Sequence, residues 1–512
     1  MRSISDNPSP GQRDLTVLSL AGIASVTLLI SFSVLIVSLS QPILEMHAFR
    51  QTQTALSVWA LTEGGPWLPY ETPVLGYPWA IPFEFPIFQW IVALLHWAGI
   101  PLDPAGRSAS WLFFVAALAL LHRLISRLGG DTRLSLILCS LLLLSPLYLF
   151  WSRAFMIEST AFFFSILFLF GLAGFVQKPS ASDGIWMAVG ALLASLVKIT
   201  TFVGFAFAGA LLTLVCAFHA YRRSKQMRDM IEVIVGPAVA VTIGVVALEI
   251  WLNYSDALKA GNAASARLTS AALAKWNFGS LSQRLDLSVW GETFFGRALT
   301  DTFGWAPLFW IALASLIILR RYAVAGLALA ALYIAPFLIF TNLHAVHNYY
   351  QYANAAFASA VLALFIWNLM RIGRATAAIA VLIVCLGAAL NGFAQQFWPA
   401  MTGDYAESRT LVLARHLKQM TAPEEVVYIF GYDWSSEVPY YAARRAVAVP
   451  DWLDPALVTG EQGRALAGDR QVGAVVDCRD MNHAPSRMFN EALASLASGR
   501  ARTPVANCSV YR

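Results

Sequence analysis

From Leu15 to Phe397 the chain is a succession of long apolar runs separated by polar breaks, and within each run the apolar character is continuous rather than alternating. Inside lipid only helices and closed barrels satisfy the backbone, and continuous runs lack the period of two that a barrel strand carries, so they predict membrane-spanning helices. The candidate spans are Leu15–Leu39, Ser108–Leu128, Leu134–Phe150, Thr160–Val176, Ile185–Val197, Phe202–Phe218, Ile231–Leu252, Trp305–Leu319, Ala323–Phe340, Ala353–Met370 and Ala375–Phe397. After Pro399 charges are dense and no run could span. There Tyr405–Met420 has helical periodicity behind Asp404 as N-cap, and "EVVYIF", "AVAVP", "GAVVDC" and "CSVY" read as short buried strands.

Basic residues orient the spans, because loops rich in Lys and Arg stay in the cytoplasm. The clusters are Arg123, Arg127 and Arg133; Arg222, Arg223, Lys225 and Arg228; Arg320 and Arg321; and Arg371 and Arg374. With these loops and the N-terminus inside, eleven spans leave the C-terminus outside. The apolar segment Phe85–Ile100 would reverse this bias if it crossed. It is short and bracketed by Pro82, Pro86, Pro101 and Pro104, so it is expected to be an interfacial or re-entrant helix on the outer side. The predicted fold class is therefore mainly α: a polytopic membrane protein with about 11 transmembrane helices, interfacial helices in the first outer loop, and a small C-terminal α/β domain. Residues 1–398 form the membrane module, with outer loops at about 41–107 and 253–303, and residues 399–512 form the outer domain. Trp276, Phe278, Trp290, Phe294 and Phe295 suit helices in the headgroup zone of the second loop.

Composition agrees. Of 512 residues, 58% are hydrophobic and 13% charged, about half the ~25% of soluble proteins, and the mean hydropathy is +0.61. The net charge of +5 is modest and scattered, which reads as topology rather than as a nucleic-acid footprint. The run after Arg2 and Arg13 is too long for a signal-peptide core and is expected to be a retained first helix. Cys139, Cys216 and Cys385 lie in apolar runs as packing residues; Cys478 and Cys508 lie in the polar tail and are the pair available for a disulfide if that tail is outside.

The stretch "EMHAFRQTQTA", Glu45 to Ala55, is far more polar than a connector needs. As a helix it lines up His47, Arg50, Gln51 and Thr54 in one stripe, while Phe49, Leu56 and Ala60 fall on other faces. Such a helix is amphipathic, presenting cations and hydrogen-bonding groups at the membrane surface; an ordinary interfacial helix with snorkelling polar groups would have the same pattern. Other ionisable residues collect at the same outer level: Glu84 in "PFEFPIF", Arg153 and Glu158 in "SRAFMIE", Lys198 in "SLVKITTF", and His344 and His347 in "NLHAVHNYYQY". Ionisable groups at membrane depth are costly and usually line a functional cavity. Carboxylate or imidazole supplies a base, Arg and Lys neutralise phosphate, and a site half in lipid suits a substrate with a long apolar tail. Together these fit transfer of a group from a lipid-linked phosphate to a hydroxyl outside the cytoplasm.

At these residues the sequence resembles the GT-C-type membrane glycosyltransferases. It is closest to the protein O-mannosyltransferase and lipid A aminoarabinose transferase branch, which uses polyprenyl-phosphate sugars. "FEFP" at Phe83–Pro86 looks like the family's Glu-x-Pro element, and "RAFMIE" at Arg153–Glu158 like its Arg followed five residues later by Asp. "LVKIT" resembles the Lys after the fifth span, "HNYYQY" the basic-aromatic outer turn, and "DWSSEVPYYAARRA" a stretch of the C-terminal domain. The family usually opens its first loop with an Asp as presumed base. Here that place falls at or near His47, and the segment looks like a His-x-Trp-Arg-Gln-x-Asp-Thr variant with Phe49 for Trp and Gln53 for Asp. The base is then His47, Glu45 or Glu84, and His47 suits base chemistry near neutrality.

The resemblance implies a sugar transferred with inversion from a polyprenyl-phosphate donor in the lipid bilayer to a hydroxyl of a glycan, lipid or protein acceptor. Arg50, Arg153, Lys198 and His347 would stabilise the leaving phosphate, with Gln51, Thr54, Glu158 and Tyr349 as substrate-binding residues. Some relatives use a divalent metal; here only Glu45, Glu84 and Glu158 could serve, and hard cations favour several oxygen ligands, so no cofactor or metal is expected to be required. The expected location is a bacterial inner membrane, with the outer domain periplasmic. A flippase of lipid-linked glycans would show inverted repeats and helices broken at mid-membrane, and no repeat is visible. A polymerase or ligase using a pyrophosphate-linked donor, or a glycan-binding scaffold, would fit the same basic cavity.

Overall fold

The structure is a computed structural model that describes residues 10–479 and 487–512, with side chains from Leu15 onward. The chain forms two compact units: Met1–Leu39, Ser110–Glu249 and Ala274–Met401 make the first, and Ser40–Ala109, Ile250–Leu273 and Thr402–Arg512 the second.

Among the described residues, six helices are long and apolar enough to cross a membrane: Leu15–Ser38, Leu102–Arg127, Glu158–Gln177, Ala181–Ser224, Met227–Ala260 and Ala375–Gln396. A seventh crossing results if Val289–Phe303 and Pro307–Ile318, bent by 96°, count as one. The expected count of eleven is thus not reproduced by length alone, for identifiable reasons. Leu134–Phe150 is cut short because Pro146 cannot donate to the ladder; the helix stops at Leu144 and a new one runs Pro146–Trp151. Ala323–Ile339 and Ala355–Arg371 are apolar but have 17 residues each, just under the ~20 of a full crossing.

The opposite happens at Ala181–Ser224. Its 44 residues would be roughly 66 Å long as one straight helix, twice the hydrocarbon thickness of roughly 30 Å. Lys198, at φ −164° and ψ 93°, leaves the helical region and divides it into two arms. Gly190 on the first arm packs on the backbone of Phe168, and Gly209 on the second packs on the Phe168 ring. The chain therefore turns back at Lys198 and flanks Glu158–Gln177 with both arms, as the two separate apolar runs Ile185–Val197 and Phe202–Phe218 predict. A Cβ at Gly190 would overlap main chain, so only glycine permits this approach.

In the second unit a five-stranded sheet has the order β2-β1-β3-β5-β4. β1 (Val426–Phe430) lies between and parallel to β2 (Arg445–Val449) and β3 (Val472–Asp477); β4 (Arg502–Val505) and β5 (Cys508–Tyr511) are antiparallel. "VVYIF" is buried throughout, as a parallel strand between two others requires. β4 carries exposed residues and Pro504 at the sheet edge, and so shows no apolar signal. The helix before β1 begins at Arg409, capped by the Ser408 hydroxyl; Asp404, expected as N-cap, instead accepts from the Ala406 amide. A disulfide joins Cys478 to Cys508, 30 residues apart.

The first outer loop is part of this same unit. Ala446 and Ala448 amides donate to the carbonyls of Pro73 and Val74 at 3.0 and 2.8 Å, so the loop covers the free edge of β2. Asn262 clamps it from the other side, donating to Leu75 and Tyr77 carbonyls at 2.9 and 2.8 Å. Within the loop the apolar segment forms Ile87–Trp97. At 11 residues, about 16 Å, it is too short to span.

Candidate functional site

The polar stretch becomes the helix Ala48–Thr62. His47 precedes it as N-cap with φ 52° and ψ 43°, a left-handed conformation uncommon for a residue with a Cβ. Its carbonyl accepts from the Arg50 and Gln51 amides, and its side chain makes no cap bond. Held strain of this kind costs about 1–3 kcal/mol and concentrates at functional positions.

The expected amphipathic surface helix is not found. Gln51 through Val58 are buried on every face, Leu56 and Ala60 included. Gln51 donates to the Met46 carbonyl at 3.1 Å and Thr54 to that of Arg50 at 3.2 Å. Both are buried, as Arg153 and Lys198 are. Accessible polarity is left at the helix start, on His47 and Arg50.

Arg50 joins the helix to the second element of the loop. Its guanidinium pairs with Glu84 and donates to Gln53 at 2.7 Å. Beneath them the buried Tyr70 hydroxyl accepts from the Phe83 amide at 2.9 Å. Burial and the nearby Glu84 carboxylate push that hydroxyl above the usual phenol range. Lys259 adds a cation that the sequence does not single out: its ammonium lies 5.0 Å from the Phe83 ring centroid and pairs with Asp256 at 2.8 Å. Glu45 has a different fate. It is buried against Arg107 at 2.6 Å, and Arg107 also donates to the Pro42 carbonyl. Two fully desolvated partners hold the loop entrance; the geometry makes Glu45 an ion-pair residue.

In the first unit, Lys198 sits where the long helix breaks. It pairs with Glu158, and its ammonium lies 4.3 Å from the Tyr350 ring and 5.2 Å from that of Tyr349. The turn carrying these rings is strongly held. His347 stacks on Tyr349 at 5.2 Å, Trp151 meets Tyr349 at 5.6 Å, and the Tyr148 hydroxyl donates to the Tyr352 carbonyl at 2.6 Å. Arg297, at the end of the π-helix Val289–Arg297, donates to the carbonyls of His344 and Ala345. Arg153 is fully buried, its guanidinium 4.5 Å from the Phe150 ring. His344 is buried too, with no hydrogen bond to either ring nitrogen among the described residues, and burial first, then Lys198 and Arg297, pushes its pKa down to about 3.

So Lys198, Glu158 and Tyr349 belong to one buried cluster of the first unit, with the half-buried His347 stacked on Tyr349, while in the second unit Arg50, three residues after His47, pairs with Glu84. Among the described residues no three His, Cys, Asp or Glu side chains gather as a metal-binding group. Glu45, Glu84 and Glu158 are each engaged by a cation, and this donor set does not fit a divalent metal.

No protein-family model matches the chain, and no curated protein matches its sequence. Solved structures do. ArnT from Cupriavidus metallidurans bound to undecaprenyl phosphate superposes with a TM-score of 0.61 at 14% identity, over 96% of this chain and 98% of that one. The apo form of the same protein gives 0.58 over the same shares, also at 14% identity. The arabinofuranosyltransferase AftD from Mycobacteria gives 0.54 at 16% identity, over 94% of this chain and 37% of that one. At such identities the likeness is one of fold, and the fold is GT-C-like.

Proposed function

We propose that the protein transfers a sugar from a polyprenyl-phosphate donor to a hydroxyl of an extracytoplasmic acceptor, with inversion at the anomeric carbon. The observation that carries this reading is Lys198: a cation buried at a helix break among Glu158, Tyr349 and Tyr350, in a chain that shares its fold with a structure bound to undecaprenyl phosphate. A cation kept at that cost is suited to an anionic leaving group.

In the mechanism, the His47 imidazole takes the acceptor proton as the hydroxyl oxygen attacks the anomeric carbon. The bond from that carbon to the phosphate oxygen breaks, and polyprenyl phosphate leaves with the bonding pair. The resemblance gives Arg50, Arg153, Lys198 and His347 as the candidates to stabilise the developing phosphate charge, with Glu84 as an alternative base. Glu45, committed to Arg107, is the weaker choice of base. The reading also puts the protein in a bacterial inner membrane, its sheet-bearing segment in the periplasm. Nuclear magnetic resonance of the product tests the stereochemistry: the transferred sugar should carry the anomeric configuration opposite to the donor's, and retention would exclude this mechanism.

A further inference from the structure

Three aromatic side chains from three separate stretches meet in the second unit beside the Arg50–Glu84 pair. Phe49 follows the left-handed His47, Phe83 precedes Glu84, and Trp434 lies in the loop after β1. The Trp434 ring is 4.9 Å from Phe49, edge-on at 82°, and 6.1 Å from Phe83, tilted by 40°. All three are partly exposed, as are both members of the ion pair.

The loop that presents Trp434 is fixed in place. Asp433 is left-handed at φ 46°, its carboxylate accepts from the Trp452 indole at 3.0 Å, and the Ser435 amide donates to the Tyr432 carbonyl at 3.1 Å. The Trp434 indole N–H, like those of Trp67 and Trp97 in the same unit, has no acceptor among the described residues. Simple packing would bury these rings; here ring surface and an indole N–H stay accessible next to a carboxylate and a guanidinium.

That combination selects its occupant. A pyranose ring has a face of C–H groups that lies on aromatic carbon and a rim of hydroxyls that bonds to carboxylate, guanidinium and indole N–H. An acyl chain would cover the rings but strand those polar groups. A stable protein partner needs roughly 800 Å² on each side, far beyond three rings and one ion pair. We propose that Phe49, Phe83 and Trp434 form a stacking platform for a pyranose ring of the acceptor, so that the acceptor is a glycan. The assignment rests on the sugar-transfer reading for the word acceptor, not for the binding itself.

The test is photocrosslinking of the full chain in membranes of its native host, with Trp434→p-benzoylphenylalanine and, as a second variant, Phe49→p-benzoylphenylalanine. Arg502→p-benzoylphenylalanine, on the exposed edge strand, is the control. Irradiation should give an adduct that stains for carbohydrate at both platform positions and at least fivefold less at the control. No adduct, or one free of carbohydrate, overturns the platform. Sugar release from a polyprenyl-phosphate-linked donor by the wild type is measured in parallel. Release without a carbohydrate adduct sinks the platform alone; a carbohydrate adduct without release sinks the transfer reading and leaves glycan binding standing.

Discussion

Lys198 is paired with Glu158 at the point where one 44-residue helix turns back on itself, and its ammonium lies over the Tyr350 ring. The side chains are 7% and 2% exposed, so neither charge has water to fall back on. Breaking such a pair from one side costs about 3–5 kcal/mol, because the other charge is left buried and alone. Lys198→Met should lower the unfolding temperature accordingly, and Glu158→Gln added to it should restore most of the loss. Activity should not return with stability in the double variant. Recovery of both would make the lysine purely structural.

Arg107 and Glu45 form the second desolvated pair, both side chains at 0% exposure. Arg107→Leu should destabilise by a similar ~3–5 kcal/mol, read by thermal unfolding in detergent. Arg107→Leu with Glu45→Leu should be close to the wild type in stability. If Glu45 were the base, that stable double variant would be inactive; with His47 as base it retains transfer.

His47 should separate stability from activity in the other direction. Its left-handed backbone costs a β-carbon-bearing residue about 1 kcal/mol relative to glycine. His47→Gly should therefore raise the unfolding midpoint while abolishing transfer. A destabilised His47→Gly would show that the imidazole has a packing role.

Acid stability tests the burial of His344. Its folded pKa, near 3, lies below the ordinary value of 6.5, so below pH 6.5 the unfolded chain binds a proton that the folded chain refuses. Stability then falls as pH drops from 6.5 toward 3 and levels off below. The surrounding burial and the cations Lys198 and Arg297 favour the neutral form. His344→Gln should flatten that limb of a stability–pH profile; an unchanged slope would mean that His344 is protonated in the folded protein.

The Cys478–Cys508 bond closes a loop of 30 residues, which in the chain-entropy treatment stabilises by about 3.6 kcal/mol. Cys478→Ser with Cys508→Ser should lower the unfolding midpoint, and a reductant should have no further effect on that variant. Equal sensitivity to reductant in both proteins would place the effect elsewhere.

The apolar runs make the helices legible, because lipid leaves a chain few alternatives. Lys198 stands out as the one cation between two such runs, and its helix break follows from their combined length. The four buried strand segments are legible by their apolar character, whereas β4, at the edge with Pro504, has no such pattern. What the sequence hides is pairing at a distance. Glu45 and Arg107 are 62 residues apart, so Glu45 reads as a candidate base until its partner is seen. Gln51 and Thr54 read as a polar stripe for the same reason: helical spacing shows which residues share a face, not whether that face is covered. Lys259 lies unremarked at the end of an apolar helix, and the stretch that holds Trp434 shows only a family likeness; the fold alone brings both to Phe83.

The most direct test of lipid-linked sugar transfer is the release of free polyprenyl phosphate when purified protein in detergent meets a polyprenyl-phosphate-linked sugar and host membrane glycan. The wild type should release it, and His47→Ala, with an unchanged unfolding midpoint, should lose at least a hundredfold in rate, the usual size of a general-base contribution. Intact donor with the wild-type protein, or equal release by both proteins, would contradict the account.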